Sequence, residues 1–202
     1  KTSSTEQKSQ VRFDQTTESV DGLRVEMEGA GGNLDIQSST VDRLEVKAAG
    51  TEFSEITFGT EVDSVSNAAI EIGEAGGSIA LESGELSEST IAIDSDPDAV
   101  NSVTIGSNVS SVADTTLQRT KGSTSVEIGS KEVENVEVVT SSKQGSTLNV
   151  NSEVISGFVL SVEKSDSDLS LQSESTIEDT TINSSAKKNG SVDVDIESKS
   201  NN

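Results

Sequence analysis

Carboxylates dominate the chemistry open to this chain: 36 Asp and Glu stand against 14 Lys and Arg, with no His and no Cys. Without His and Cys there is no imidazole base, no thiolate nucleophile and none of the usual zinc ligands. Ser-His-Asp, Cys-His and zinc-hydrolase mechanisms therefore have nothing to run on. Two carboxylates can serve a glycosidase, yet such sites hold the sugar against aromatic rings, and the chain lacks Trp and Tyr. The glycine cluster Gly29-Ala30-Gly31-Gly32 lacks the Lys and the following helix of a phosphate loop. The sequence is read as that of a protein that is not an enzyme and carries no cofactor.

The best cation candidate is Asp94-Ser95-Asp96-Pro97-Asp98, because alternate carboxylates on a loop can offer oxygen ligands to Ca²⁺. It departs from the EF-hand loop, with Ala99 where Gly is required and Ile105 where the bidentate Glu belongs. An acidic solvated turn is the competing and preferred reading of Asp94, Asp96 and Asp98, with weak Ca²⁺ binding as the alternative. Three Asn-x-Ser sequons, at Asn108, Asn183 and Asn189, are glycosylation candidates in Ser-rich stretches.

The formal charge of −22 repels phosphate backbones and anionic lipid, so neither nucleic acid nor a membrane surface is an expected partner. No apolar run approaches the ~18 residues that span a bilayer. Solubility, or adaptation to salt, accounts for the acidity. A first residue of Lys1 is read as the mark of processing, most simply removal of a signal peptide.

The elements that would position any site are short strands. Leu23-Arg24-Val25-Glu26-Met27, Leu34-Asp35-Ile36, Leu44-Glu45-Val46, Ile70-Glu71-Ile72, Val126-Glu127-Ile128 and Val192-Asp193-Val194-Asp195-Ile196 repeat one pattern, apolar alternating with polar. Side chains alternate across a strand, so each copy has one dry and one wet face. Successive doublets begin 9 to 14 residues apart, separated by turn formers such as Gly73 to Gly77, Asp94 to Asp98 and Lys121-Gly122. No window carries a helical stripe, so the fold class is all-β.

A supply of 22 Val, 13 Ile, 10 Leu and 4 Phe suits a narrow core. Short strands with two inward residues favour a β-solenoid-like stack. The uneven steps favour the alternative, an antiparallel sandwich or jelly roll. Residues 1–10 read as a polar tail, 11–198 as one elongated β domain and 199–202 as a second tail. Val11 and Phe13 form an isolated alternating piece. They are candidates for assembly through strand exchange with a neighbour, against the simpler reading that they form the domain's own first strand.

Val20-Asp21-Gly22-Leu23-Arg24-Val25, Gly31-Gly32-Asn33-Leu34-Asp35-Ile36 and Gly122-Ser123-Thr124-Ser125-Val126-Glu127-Ile128 resemble the rungs of adhesin-type β-solenoids of bacteria and archaea. In composition the chain also resembles subunits of microbial surface filaments, threads and sheaths. These resemblances imply an extracellular, cell-surface location and no catalysis. The expectation is a secreted structural protein that self-associates into a filament, sheath or matrix. An adhesin-type module recognising a surface ligand or Ca²⁺ is the alternative.

Overall fold

The computed structural model describes residues 8–141, 145–163, 167–185 and 192–198. It is a β-solenoid of about 8 turns, every strand pairing in parallel with the strand one turn away and none antiparallel, so the sandwich alternative does not hold. The first turn comprises β1 (Ser9–Phe13), β2 (Ser19–Asp21) and β3 (Arg24–Met27). The second comprises β4 (Gly32–Ile36), β5 (Thr40–Asp42) and β6 (Glu45–Ala48), and the third β7 (Ser54–Phe58), β8 (Ser64–Ser66) and β9 (Ala69–Glu74). Then follow β10 (Gly77–Leu81), β11 (Gly84–Ser87) and β12 (Thr90–Ser95), and after them β13 (Val100–Ile105), β14 (Val109–Ala113) and β15 (Thr116–Lys121). The sixth turn holds β16 (Ser123–Ile128), β17 (Glu132–Glu134) and β18 (Glu137–Thr140). In the last turns the first two strands fuse, giving β19 (Ser146–Ser156) with β20 (Val159–Glu163) and β21 (Ser167–Glu178) with β22 (Thr181–Ser185). The final strand is β23 (Val192–Ser198).

The solenoid thus has three faces, two merged in a 15-stranded sheet and the third an 8-stranded sheet. On the first face the inward column runs from Val11 through Leu34, Ile56, Ile79, Val103, Val126, Leu148 and Leu169 to Val194. A second column beside it runs from Phe13 through Ile36 and Phe58 to Leu171 and Ile196. The third face contributes Val25, Val46, Ile70, Ile91, Leu117, Val138, Leu160 and Ile182. The second face supplies a single aliphatic from most of its strands, from Val20, Val41 and Val65 to Ile155 and Ile177, and two, Val109 and Val112, from β14. Most of these side chains are fully buried, Ile36, Val41, Val65 and Ile155 among them.

Two corners make this path possible. Between the second and third faces each turn bends at one residue with positive φ: Gly22, Arg43, Asn67, Glu88, Asp114, Asn135, Gly157 and Asp179. The N–H of the corner residue donates to a carbonyl of the next turn, as Arg43 does to Ser66 and Glu88 to Ala113. That bond holds even arginine and glutamate in the left-handed region, where a side chain costs roughly 1–2 kcal/mol. The step from each third face to the next first face takes the variable loops. There Gly50 passes so close to Gly31 that a Cβ on it would lie 2.4 Å from the Gly31 nitrogen.

β1 begins at Ser9, inside the stretch read as tail, because a ladder needs backbone rather than apolar side chains. It forms the chain's own first strand, paired with β4, and Val11 and Phe13 lie half-buried against the core. Residues 1–7 and 199–202 lie outside the described residues.

The corner geometry predicts opposite effects at one position. Glu88→Gly should raise the free energy of unfolding by about 1 kcal/mol, and Glu88→Val should lower it by a similar amount, in urea titrations followed by circular dichroism.

Candidate functional site

Asp94 lies on β12, where its Oδ1 accepts a 2.6 Å hydrogen bond from Thr120 Oγ1. The alternation of the strand turns the next residue, Ser95, inward, and it is buried. Asp96 and Asp98 sit in the loop beyond, closed by the Ala99 N–H donating to the Asp96 carbonyl at 3.0 Å. The structure therefore distributes these carboxylates along a strand and a turn. Among the described residues no cluster of three or more Asp or Glu could hold a metal ion. Of the sequons, Asn108 is exposed in the turn between β13 and β14 and Asn183 is exposed on β22, while Asn189 lies outside the described residues.

The polar chemistry of the interior is gathered instead where the third face hands over to the first. Ser54 Oγ accepts from the Gly32 N–H at 3.3 Å, and Asn101 Oδ1 accepts from the Gly77 N–H at 3.2 Å. Asn101 Nδ2 donates to Ser95 Oγ at 2.8 Å and to the Ser123 carbonyl at 3.1 Å. One turn on, Thr124 and Ser146 continue the line in register. Beside them the inward column Ile72, Ile93, Arg119, Thr140, Val162 sets a guanidinium where its neighbours are largely aliphatic.

Arg119 is 4% exposed and its Nη2 donates to the Gly122 carbonyl. Burial pulls its pKa down to about 10, so it stays protonated at neutral pH. The hydroxyls of Thr124, Thr140 and Ser146 are buried without a hydrogen-bond partner. They line, with Arg119, Ile93 and Val103, a cavity of about 30 Å³. Small-molecule sites run to ~300 Å³ and more. The cavity is a packing defect at a polar seam and too small for an organic substrate. Two open grooves along the first face, about 500 and 620 Å³, are lined mostly by Ser, Thr and Asn, with Asp168 at both and Asp195 at the second.

Nothing in its residue type marks Arg119 as an inward side chain. Its one signal is alternation: two positions after an inward Leu, it falls on the dry side.

On the surface, ion pairs gather in the first turns. Arg12 Nε lies 3.3 Å from Asp35 Oδ2, Arg24 bridges Glu26 and Glu45, and Arg43 joins Asp21 and Asp42. The Asp42 carboxyl is held below its ordinary 3.8 by hydrogen bonds from Asn67 and Ser66, with the Arg43 charge adding to them. Arg43 is raised in turn by its bond to Asp21.

Comparison with protein-family models, with curated proteins and with solved structures finds no match.

Two measurements check the energetics. Arg119→Ala should lower stability by about 2–5 kcal/mol, because it enlarges the adjoining cavity and strips the buried Gly122 carbonyl of a donor; unfolding titrations read the change. Asp42 has a lowered folded-state pKa, so its contribution is present above the unfolded value and is lost as pH falls through the lowered one. Asp42→Asn should therefore be less stable than the parent at neutral pH. The gap should close as the pH drops below 3.8.

Proposed function

We propose that this chain is a structural protein of a cell-surface filament, sheath or matrix, extracellular and without catalysis. The observation that carries the reading is the inward ladder of the first face, which extends to the terminal strand and leaves Val194 43% and Ile196 49% exposed there. A framework of stacked turns supplies length and stiffness, since each turn contacts only its neighbours and stability accumulates along the axis. The acidic Ser/Thr exterior keeps lateral faces apart in water. Among the described residues the two open grooves hold no more than two carboxylates each, which agrees with a scaffold better than with a reaction centre.

Electron microscopy of the purified chain should show filaments, sheets or tubes. Uniform monomeric particles at every salt and protein concentration would sink the reading. Removing residues 1–15, and with them β1, should leave a folded solenoid that no longer polymerises, seen as an unchanged β-type circular dichroism spectrum with loss of the assembled particles.

A further inference from the structure

The two ends of the first face differ in charge. Among the described residues β1 at one end pairs only with β4, and β23 at the opposite end pairs only with β21, so each has one open edge. Unpaired N–H and C=O rows of this kind template addition of another strand. Outward on β1 stands Arg12, 63% exposed and held on one flank by Asp35. Outward on β23 stands Asp195, exposed, between the exposed apolar side chains of Val194 and Ile196.

We propose that the edge of β23 receives β1 of a second copy of this chain, in parallel, with Val194 opposite Val11, Asp195 opposite Arg12 and Ile196 opposite Phe13. The inference rests on the assembly reading above and adds to it a polarity, a register and a charge pair.

Three observations select this arrangement. The register is the one used within the molecule, where Val11, Arg12 and Phe13 face Leu34, Asp35 and Ile36. It extends both inward columns by one step and sets Arg12 between two aspartates. A slip of one residue would set Arg12 on the dry side of β23 and Val11 and Phe13 on the wet one. A slip of two would leave Val194 or Ile196 without an apolar partner.

Pairing of like ends gains nothing from charge. Laid antiparallel on its twin, β23 sets aspartate against aspartate, and β1 centred on its twin sets Arg12 against Gln10, with no acid opposite it. Like charges directly opposite destabilise a strand pair. Only the head-to-tail contact matches cation with anion, and a heterologous contact of that kind propagates into a filament rather than closing as a dimer. The first face carries the contact, because the other two faces end one strand earlier than β23.

The absence of Cys from the chain makes the register directly testable. In the proposed pairing Gln10 faces Asp193, and strand neighbours lie within the Cα separation a disulfide bridges. Chains carrying only Gln10→Cys are mixed with chains carrying only Asp193→Cys and oxidised, with circular dichroism verifying the β fold of each. The mixture should give a covalent heterodimer on non-reducing gels, and Gln10→Cys mixed with Asp195→Cys, two residues out of register, should give far less.

Sedimentation of cysteine-free variants provides the second arm. Asp195→Arg and Arg12→Asp should each associate less than the parent, and a mixture of the two, in which both contacts again pair a cation with an anion, should recover association into alternating polymers. Filaments by microscopy without the heterodimer would overturn this register while leaving the structural reading intact. A covalent dimer from Asp193→Cys alone would overturn the polarity. A parent chain that stays monomeric across a concentration series, with no cross-link, would overturn both.

Discussion

Parallel stacking in register is the constraint from which the rest of this structure follows. Strands lie about 4.8 Å apart across the ladder, so every inward side chain has its closest neighbours directly above and below rather than across a core. The interior becomes a set of columns, each needing residues of compatible size along its whole length. Ile72 and Ile93, or Ile105 and Ile128, satisfy that by near-identity. The demand on composition is modest: three narrow faces require one or two aliphatics per strand. That is why a chain with only 30% hydrophobic residues and almost no aromatics can bury a continuous core.

The corners spend the polar residues. Buried hydroxyls near the bends satisfy backbone groups that the ladders leave over. Ser89 Oγ accepts from the Ala68 N–H and donates to the Ser87 carbonyl, Thr115 donates to the Ala113 carbonyl, and Ser152 and Ser173 donate to carbonyls of the preceding turn. Serine abundance here therefore has an interior use as well as a surface one. The seam between third and first faces departs furthest from this: it carries the buried Arg119, bonded to the Gly122 carbonyl, and, among the described residues, three hydroxyls without a partner, and it is where the packing opens into a cavity.

What could be read from the sequence follows from how each face writes itself. The first and third faces have strands with two inward residues, so Leu34-Asp35-Ile36 and Ile70-Glu71-Ile72 announce themselves by alternation. The second face has a single inward aliphatic in strands as short as Thr40–Asp42 and Ser64–Ser66. One Val flanked by polar residues has no period, and the face was invisible. Missing it made each turn look like two unequal repeats, the source of the irregular steps that kept an antiparallel sandwich in contention.

Turn signals misled in a related way. Gly29 to Gly32, Gly73 to Gly77 and Asp94 to Asp98 all mark the one variable corner. The sharp corner is filled mainly by Arg43, Asn67, Glu88, Asp114, Asn135 and Asp179; Asn and Asp adopt the left-handed backbone readily, and interturn hydrogen bonds hold Arg43 and Glu88 in it. The Asp94, Asp96 and Asp98 spacing suggested a cation loop because sequence spacing does not reveal that a strand ends between the first and second carboxylates.

The same stacking rule constrains the charges. A chain of formal charge −22 wound in register risks columns of carboxylates one strand spacing apart. Most outward columns of the strands avoid this by interleaving, although Glu88 and Asp114 succeed each other at the corner. Glu55 lies between Asn33 and Ser78, Glu85 between Ser64 and Ser111, Glu127 between Thr104 and Asn149, and Glu137 between Thr116 and Val159. Each spacer moves the next acid in its column to two strand spacings or more, about the Debye length at ~0.1 M salt. Where acids do face each other across one step, at Asp21 and Asp42, Arg43 reaches both. By register Asp168 pairs with Asp193 at the last described step, on the strand that also carries Asp195. Surface acidity is thus arranged along the axis so that the stack tolerates it, and the tolerance is least at the end where β23 stands open.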